Sequence, residues 1–452
     1  MSRSRPAPAQ WTGDERRKLD PSAAEVAAVA PPAAASFPPW LGICRGTSFV
    51  SNIRILCLAV VTWFGAPGVA GQSAATPSAG FPFSFREAQV AADRAYAGDE
   101  ACYVCHQQKA DTYARTAHAR TSAQPSADSI LGQFIAGSNV LRTANPDLFF
   151  MMEHVKGGFF QKGVMRTPSG QILERAERID VVIGSGRKGQ THLFWDGDGL
   201  FQLPVSYWTE MAEWVNSPGY IDGTADFERP IAPRCLECHA SSFEARAPPN
   251  RYDKASLRVG ISCEKCHGPG GEHVARFSSK VPPLAASDSA IVNPAKLPRA
   301  RQMDVCALCH AGIGNPRAPA LSFVPGRALS QYLDTPKLKT AAHVDVHGSQ
   351  VQLLERSRCF QSSPSMTCAT CHDVHTSQRE PASFVSDCIK CHQVENCWTF
   401  PRLGHAIDRQ CITCHMPLQE TEQIIISGRD GRSLQPKVRN HEIRIYREID
   451  LP

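Results

Sequence analysis

The chain has 452 residues, enough for two or three domains, and its 42% hydrophobic content is ordinary for a folded globular protein. Its 48 Lys and Arg against 43 Asp and Glu give a net charge of +5, which offers no reason to expect a nucleic-acid partner. No apolar run reaches the roughly 18 residues that a membrane helix needs, so a polytopic membrane protein is excluded.

The N-terminal segment has the pattern of an export signal. Arg54 precedes an apolar stretch over residues 55–64, and small residues follow, so cleavage is expected near Ala70 or Gly71. The preceding part is rich in Ala, Pro and Arg without periodicity, which fits either a disordered extension or a true start near Val50. The sequence therefore predicts a leader and a periplasmic or otherwise extracytoplasmic protein.

The most informative pattern is CxxCH, which occurs seven times in a chain with 18 Cys and 16 His. The seven copies are Cys102/Cys105/His106, Cys235/Cys238/His239, Cys263/Cys266/His267, Cys306/Cys309/His310, Cys368/Cys371/His372, Cys388/Cys391/His392 and Cys411/Cys414/His415.

Two cysteines three residues apart share one face of a helical turn, where both sulfurs can bond the vinyl groups of one haem. The next residue, His, then supplies the proximal nitrogen to the iron. Zinc ribbons also use CxxC pairs, but zinc does not require the following His. We therefore expect a multihaem c-type cytochrome with seven covalently bound haems.

A β-rich segment separates the first motif, which begins at residue 102, from the second, which begins at residue 235. Two β-rich runs flank Asp196-Gly197-Asp198-Gly199 and predict a hairpin, and residues 163–184 are a weaker strand–turn–strand candidate. Residues 423–435 predict another hairpin near the C-terminus. Around the motifs we expect short helices joined by Pro- and Gly-rich loops.

The fold class predicted from these elements is mainly α with long loops, a haem-packed cytochrome with a small antiparallel β insert. The macrocycles themselves are expected to form the core, with side chains filling the space between them. The predicted divisions are a leader over 1–71, a linker over 72–97, the first motif with the insert over 98–234, a six-haem region over 235–420, and a C-terminal hairpin and tail over 421–452.

Four cysteines lie outside the motifs. Cys44 and Cys57 fall in the leader, which leaves Cys359 and Cys397. Because an even number of cysteines remains in a protein expected to be exported, a disulfide between these two is suggested. Two separate buried thiols are the alternative.

Nine histidines lie outside the motifs, and seven irons need at most seven distal ligands. His118 is 12 residues beyond His106, roughly 18 Å along a helix, too far to reach the same iron. His375 follows His372 too closely to reach the opposite face of its own haem. Both are therefore expected to bind neighbouring haems, and His273 on a Gly-rich loop has the same option.

The remaining histidines are less clear. His154 and His192 have sheet-like surroundings, which favours hydrogen-bonded or solvated side chains. His347 is favoured over His343 as a ligand. Met416, adjacent to a proximal His, is expected to pack on a haem edge rather than to bind iron.

The segments "CHGPGGEHV", "DVHGSQ", "MTCATCHDVH", "CITCHMP" and "NHEIRIY" resemble the cytochrome c-554 (c-552/4) family, over most of residues 98–447. The resemblance implies a mostly helical haem-packed fold, a periplasmic location and electron transfer. It also implies a set of distal ligands, namely His118, His273, His347, His375, His405 and His441. Departures are the absence of CxxCK and a motif count above that of the tetrahaem namesake.

Three functions fit these observations. The favoured one is an electron conduit of stacked, mostly bis-His haems that serves redox partner proteins of a respiratory chain. The alternatives are an oxidoreductase that converts a small nitrogen or sulfur compound at one five-coordinate haem, and a docking module. If an open site exists, Arg187, Tyr207 and Trp208 are candidates to line it, but no catalytic residue is identified.

Overall fold

The computed structural model describes residues 96–279, 290–338, 348–421, 424–427 and 433–446. The predicted leader and nearly all of the predicted linker lie outside these residues. No helix within these ranges is long and apolar enough to cross a bilayer.

The helices are short, and several of them end on the His of a CxxCH motif. They are α1 (Asp99–Tyr113), α2 (Pro233–His239), α3 (Cys263–His267), α4 (Gly271–Phe277), α5 (Arg299–His310), α6 (Gln350–Arg356), α7 (Arg358–Ser362), α8 (Val385–Ile389), α9 (Phe400–Leu403) and α10 (Cys411–His415). Single 3₁₀ turns cover Pro294–Lys296, Leu329–Gln331, Cys368–Thr370, Pro381–Phe384, Val394–Asn396 and Gly404–Ile407.

The strands concentrate between the first and third motifs. They are β1 (Ser122–Ala123), β2 (Val140–Arg142), β3 (Leu148–Val155), β4 (Gly158–Arg166), β5 (Ile172–Arg178), β6 (Val181–Ile183), β7 (Gly189–Asp196), β8 (Gly199–Gln202), β9 (Val205–Trp208), β10 (Glu213–Asn216), β11 (Ala240–Arg246), β12 (Arg251–Val259), β13 (Asn315–Pro316), β14 (Leu333–Asp334), β15 (Leu418–Glu420), β16 (Ile426–Ser427), β17 (Ser433–Leu434) and β18 (Lys437–Arg439).

Two antiparallel sheets make up the β-rich region. One is the meander β2-β3-β4-β5, and the other has eight strands, with the path β1-β6-β7-β8-β12-β11 and with β9 and β10 attached through β7. The β3–β4 register places Phe150 opposite Gly163, where an added Cβ would lie 3.3 Å from the Phe150 ring. The glycine therefore lets the two strands pack closely under an aromatic ring.

All three predicted hairpins are present. β7 and β8 pair around Asp196–Gly199, and Gly197 has the positive φ of 60° that such a tight turn favours. β4 pairs with β5 within residues 163–184, and β16 pairs with β17 within residues 423–435.

The predicted fold class, mainly α with a small β insert, is wrong. The structure is 28% helical and 26% strand. Outside the insert only the C-terminal hairpin was predicted, but β11 and β12 form a further hairpin directly after the second motif, and β12 joins β8 through the pair Arg251–Gly199. Because this hairpin extends the sheet of the insert, the β-rich region is about as large a part of the structure as the helices.

The hydrophobic core follows the same division. In the β-rich region it centres on the fully buried side chains of Phe150, Met152, Leu203 and Val205. A smaller cluster surrounds α5, where Leu308 and other apolar side chains pack. The β-rich region therefore buries much apolar surface with its own side chains.

Candidate haem-binding site

Each motif folds as one helical turn. The four helices α2, α3, α5 and α10 end on the motif His. In the fifth and sixth motifs the amides of His372 and His392 each donate to the carbonyl of the first cysteine, at 3.0 Å. The first motif lies inside α1, which bends at His106 (φ −113°, ψ 32°). The sequence spacing thus places both thiols and the imidazole beside one another.

Four motif histidines face a second histidine from elsewhere in the chain. The ring centroids are 6.5 Å apart for His106 and His273, 6.1 Å for His267 and His375, 6.0 Å for His310 and His118, and 6.3 Å for His372 and His441. Two imidazoles bound through one nitrogen each to the same metal need a separation of roughly 6 Å, because each metal–nitrogen bond is about 2 Å. The spacing of all four pairs fits one iron between two rings.

Hydrogen bonds orient two of these rings and the ring of His415. The Nδ1 atoms of His267, His415 and His441 lie 2.8, 2.9 and 3.0 Å from backbone carbonyl oxygens. A carbonyl only accepts, so Nδ1 carries the proton and donates. The lone pair of each neutral ring is then at Nε2, the arrangement that metal-binding histidines use.

Burial favours the neutral form of several of the paired rings. It lowers the pKa of His310 and His441 to about 4, with smaller effects of neighbouring histidines on each. Burial also lowers the pKa of His118 and of His372. Neutral imidazoles at pH 7 have a free nitrogen lone pair, so the donor set fits haem iron.

Thiols of different motifs lie close together. Cys238 and Cys309 are near enough for each to shift the pKa of the other, as are Cys306 and Cys368, and the sulfurs of Cys102 and Cys263 lie within 4.8 Å of each other. These contacts bring the second motif to the fourth, the fourth to the fifth, and the first to the third. Of these three pairs of motifs, only the fourth and fifth are consecutive in the sequence.

The sixth motif bridges the fifth and seventh. Burial first, and then the charges of Cys411 and Cys371, raise the pKa of Cys388 to about 11. The three thiols therefore lie within electrostatic range of one another.

Three motif thiols lie at the surface. Cys105 of the first motif, Cys235 of the second and Cys391 of the sixth are exposed, whereas the other motif cysteines are half-buried. In each of these three motifs the half-buried thiol is the one that lies near another motif. The expectation that the macrocycles form the core stays a prediction, and so does haem attachment through all the motif cysteines.

A buried arginine holds two motifs together, and the sequence reading missed it. Arg234, only 8% exposed, donates to the carbonyls of Leu308 at 2.6 Å and Ile313 at 2.7 Å, and to Glu237 Oε2 at 2.8 Å. It fastens α2 to the end of α5. The only signal was an Arg and a Glu three apart inside one motif segment, which is common on exposed helices as well.

Other predicted ligands are not brought opposite a motif ring. His405 is exposed, packs edge-on against Phe400 at 5.2 Å, and lies 3.2 Å from an Asp408 carboxylate oxygen. Among the described residues, neither His392 nor His415 has a histidine ring facing it. His343 and His347 lie outside the described residues.

The two spare cysteines are both free thiols in the structure, so the Cys359–Cys397 bridge is not formed in it and stays a prediction. Cys397 Sγ lies 3.2 Å from Thr399 Oγ1.

The histidines expected to be structural lie in the β-rich region. His154 stacks on Phe159 at 4.2 Å, and His192 is fully buried with its Nδ1 3.1 Å from Gln161 Nε2. Neither ring contacts a motif histidine within the described residues.

The three candidates for lining an open site separate. Tyr207 and Trp208 pack into apolar clusters of the β-rich region. Arg187 is close enough to His372 for its charge to lower the pKa of that histidine further, after burial. Only the arginine is therefore near a motif ring.

Comparison with known proteins supports this reading. Residues 210–268, which contain the second and third motifs, match the sequence model of the family described as cytochrome c554 and c-prime. No curated protein matches the chain.

Two solved structures are similar to the chain. One is the outer cell wall cytochrome OcwA, with a TM-score of 0.48 and 15% identity over 77% of this chain and 79% of that one. The other is an undecahaem cytochrome from the S-layer of Carboxydothermus ferrireducens, with a TM-score of 0.33 and 16% identity over 74% of this chain and 54% of that one.

The repeated CxxCH turns, the paired imidazoles and the family match over the second and third motifs lead to one conclusion. The chain is a multihaem c-type cytochrome.

Proposed function

We propose that the protein carries seven c-type haems, most of them held between two histidines, and conducts single electrons between redox partners outside the cytoplasm. The observation that carries this proposal is the set of four imidazole pairs with centroids 6.0 to 6.5 Å apart. When bound, haem supplies an iron that takes up and releases one electron.

Different residues of the chain would hold the porphyrin and provide the two nitrogen ligands of the iron. The two thiols of each motif bind the porphyrin edge, and the motif His provides the proximal nitrogen. The distal nitrogens come from His118, His273, His375 and His441. Because two imidazoles would hold each such iron, the site would leave no place for a substrate and would favour electron transfer over catalysis.

The contacts between motifs support a continuous path. His375 follows the fifth motif and faces His267 of the third, while thiol contacts join the third motif to the first. The fourth motif contacts the second and the fifth, and the sixth lies near the fifth and seventh. The fifth motif is thus the junction of the proposed array, with the first, second and seventh motifs at its ends.

Spectroscopy of the holoprotein tests the proposal. From a host that matures c-type cytochromes, the intact mass is expected to exceed that of the processed chain by seven haems. The electron paramagnetic resonance spectrum of the oxidised protein should be dominated by low-spin signals. His441→Ala should convert one haem to a high-spin form, whereas the matched variant His154→Ala should leave the spectrum unchanged.

A wild-type protein with fewer than seven haems would refute the stoichiometry. An unchanged spectrum in His441→Ala would refute the assignment of that ligand.

One observation favours a second function. His392 and His415 have no facing histidine among the described residues, and His405 hydrogen bonds to Asp408 instead. An open iron at the sixth or seventh motif would suit conversion of a small nitrogen or sulfur compound. A high-spin signal in the wild-type protein that shifts with nitrite or hydroxylamine would support this function over the pure conduit.

A further inference from the structure

The short segment that follows α1 is fixed in place beside the second and third motifs. The carbonyl of His118 accepts hydrogen bonds from the amides of Thr121 at 3.2 Å and Ile261 at 3.1 Å. Ser122, which is buried, donates its hydroxyl to the carbonyl of His239 and accepts from the Gly260 amide at 2.8 Å. The segment therefore cannot move without disturbing the end of α2.

Thr121 lies in this segment, and its hydroxyl contacts the imidazole of His239 in the second motif. Its Oγ1 lies 3.1 Å from Nδ1 of His239. If Nε2 of His239 binds iron, Nδ1 carries the ring proton and donates it to the Thr121 hydroxyl oxygen. At His267 and His415 the same proton goes to a backbone carbonyl instead.

The partner of this proton influences the iron. An acceptor at Nδ1–H increases the electron density of the ring and makes the imidazole a stronger donor to the metal. A stronger donor stabilises the ferric more than the ferrous form, and so lowers the potential at which the haem takes up one electron. A hydroxyl is an acceptor that a single substitution can remove, whereas a backbone carbonyl is not.

We infer that Thr121 is a positioning residue that lowers the reduction potential of the haem held by Cys235, Cys238 and His239. This inference rests on the proposed haem at the second motif. The same segment also carries His118, which faces His310 of the fourth motif at 6.0 Å. One stretch of chain thus orients the proximal ring at one haem and provides the distal ring at its neighbour.

The test compares spectroelectrochemical titrations of the holoprotein and its variants. Thr121→Val keeps the shape of the side chain and removes the hydroxyl, so one one-electron component, carrying one-seventh of the haem absorbance, should move upward. The expected size is about tenfold in the ratio of reduced to oxidised haem at a fixed potential, equivalent to about 59 mV. Thr121→Ser keeps the acceptor and should titrate like the wild type.

Two further variants protect the test from misfolding effects. Thr116→Val removes a hydroxyl from the same segment. This hydroxyl accepts from the Ala119 amide at 3.2 Å and does not contact the His239 ring, so the variant should leave the reduction potentials unchanged. Thr121→Asp supplies a stronger acceptor and should move the same component downward. If Thr121→Val does not fold, the contrast between Thr121→Asp and Thr121→Ser still decides the matter.

The two proposals fail in different ways. A full haem complement with identical titrations in Thr121→Val and Thr121→Asp would overturn the role of Thr121 alone. Haem missing from the second motif, seen by mass analysis of the peptide with Cys235 and Cys238, would overturn the proposed function at that site.

Discussion

The β-rich region and the region of the later motifs are held together by different means. Over β1–β12 the strands form two sheets around aromatic and aliphatic side chains such as Phe150, which is fully buried. From α6 to α10 every described helix has seven residues or fewer. Isolated helices shorter than about 12 residues are marginal in water. We therefore expect the later motifs to depend on haem bound to their cysteines, as the proposed function requires, whereas the β-rich region depends on its own packing.

The largest effect is expected when haem is withheld. In a host without cytochrome maturation, we expect residues 350–446 to be cut rapidly by a protease while residues 140–231 persist. The reason is that binding free energy is folding free energy where the protein alone buries little surface. Limited proteolysis with mass analysis checks this, with the holoprotein as control. Equal protection of both regions would contradict the comparison.

The next effect concerns the contact between the second motif and the fourth. Arg234→Met leaves Glu237 buried without its cation, and should lower the free energy of unfolding of the holoprotein by about 4 kcal/mol. Denaturant unfolding followed at the Soret band measures it. The double variant Arg234→Met/Glu237→Leu should recover much of the loss, since no charge is then left unpaired. If the double variant is no better than the single one, the carbonyl contacts of Arg234 dominate instead.

Local patterns in the sequence were sufficient for three hairpins but not for β11–β12 or for the sheet. The Asp-Gly-Asp-Gly turn specifies β7–β8 because both the turn and the flanking apolar residues are contiguous. Two register shifts along β11 interrupt the regular alternation by which a strand is recognised, so the hairpin β11–β12 was missed and the β content was underestimated. The pairing of β12 with β8 joins Arg251 to Gly199 across the second motif, and no local pattern encodes such a contact.

The same limit applies to the site. The CxxCH spacing specifies thiols and proximal histidines, because they lie on one helical turn. The spacing of His118 excluded its own motif as a partner, but only the fold brings its ring to His310. Arg234 and Thr121 act through residues that are distant in the sequence, so neither was recognisable from the motif itself.

A smaller effect tests whether the β-rich region responds to pH through its own core. Burial lowers the pKa of His192 from 6.5 to about 4. The unfolded chain therefore binds a proton between pH 6.5 and 4 that the folded protein does not, so stability falls as pH falls through this window. The loss should reach about 3 kcal/mol near pH 4.

Hydrogen exchange of peptides from β7, measured at pH 7 and pH 4.5 and corrected for intrinsic exchange rates, follows this change. His192→Leu should flatten the pH dependence. The matched variant His154→Leu, on an exposed position of β3, should retain it. An unchanged slope in His192→Leu would place the acid sensitivity elsewhere.

The smallest expected effect separates surface charge from buried structure. Arg246 and Asp253 pair at 2.9 Å across β11–β12, and Lys437 and Glu420 pair at 3.8 Å across β15–β18, all with exposed or half-exposed side chains. Exposed ion pairs contribute about 0–1 kcal/mol because water screens them. Double-mutant cycles with Arg246→Ala/Asp253→Ala and Lys437→Ala/Glu420→Ala, measured by denaturant unfolding, should therefore give coupling energies below about 1 kcal/mol in both regions. A much larger coupling in only one region would mean that surface charge, and not only buried side chains and haem, makes the two regions differ in stability.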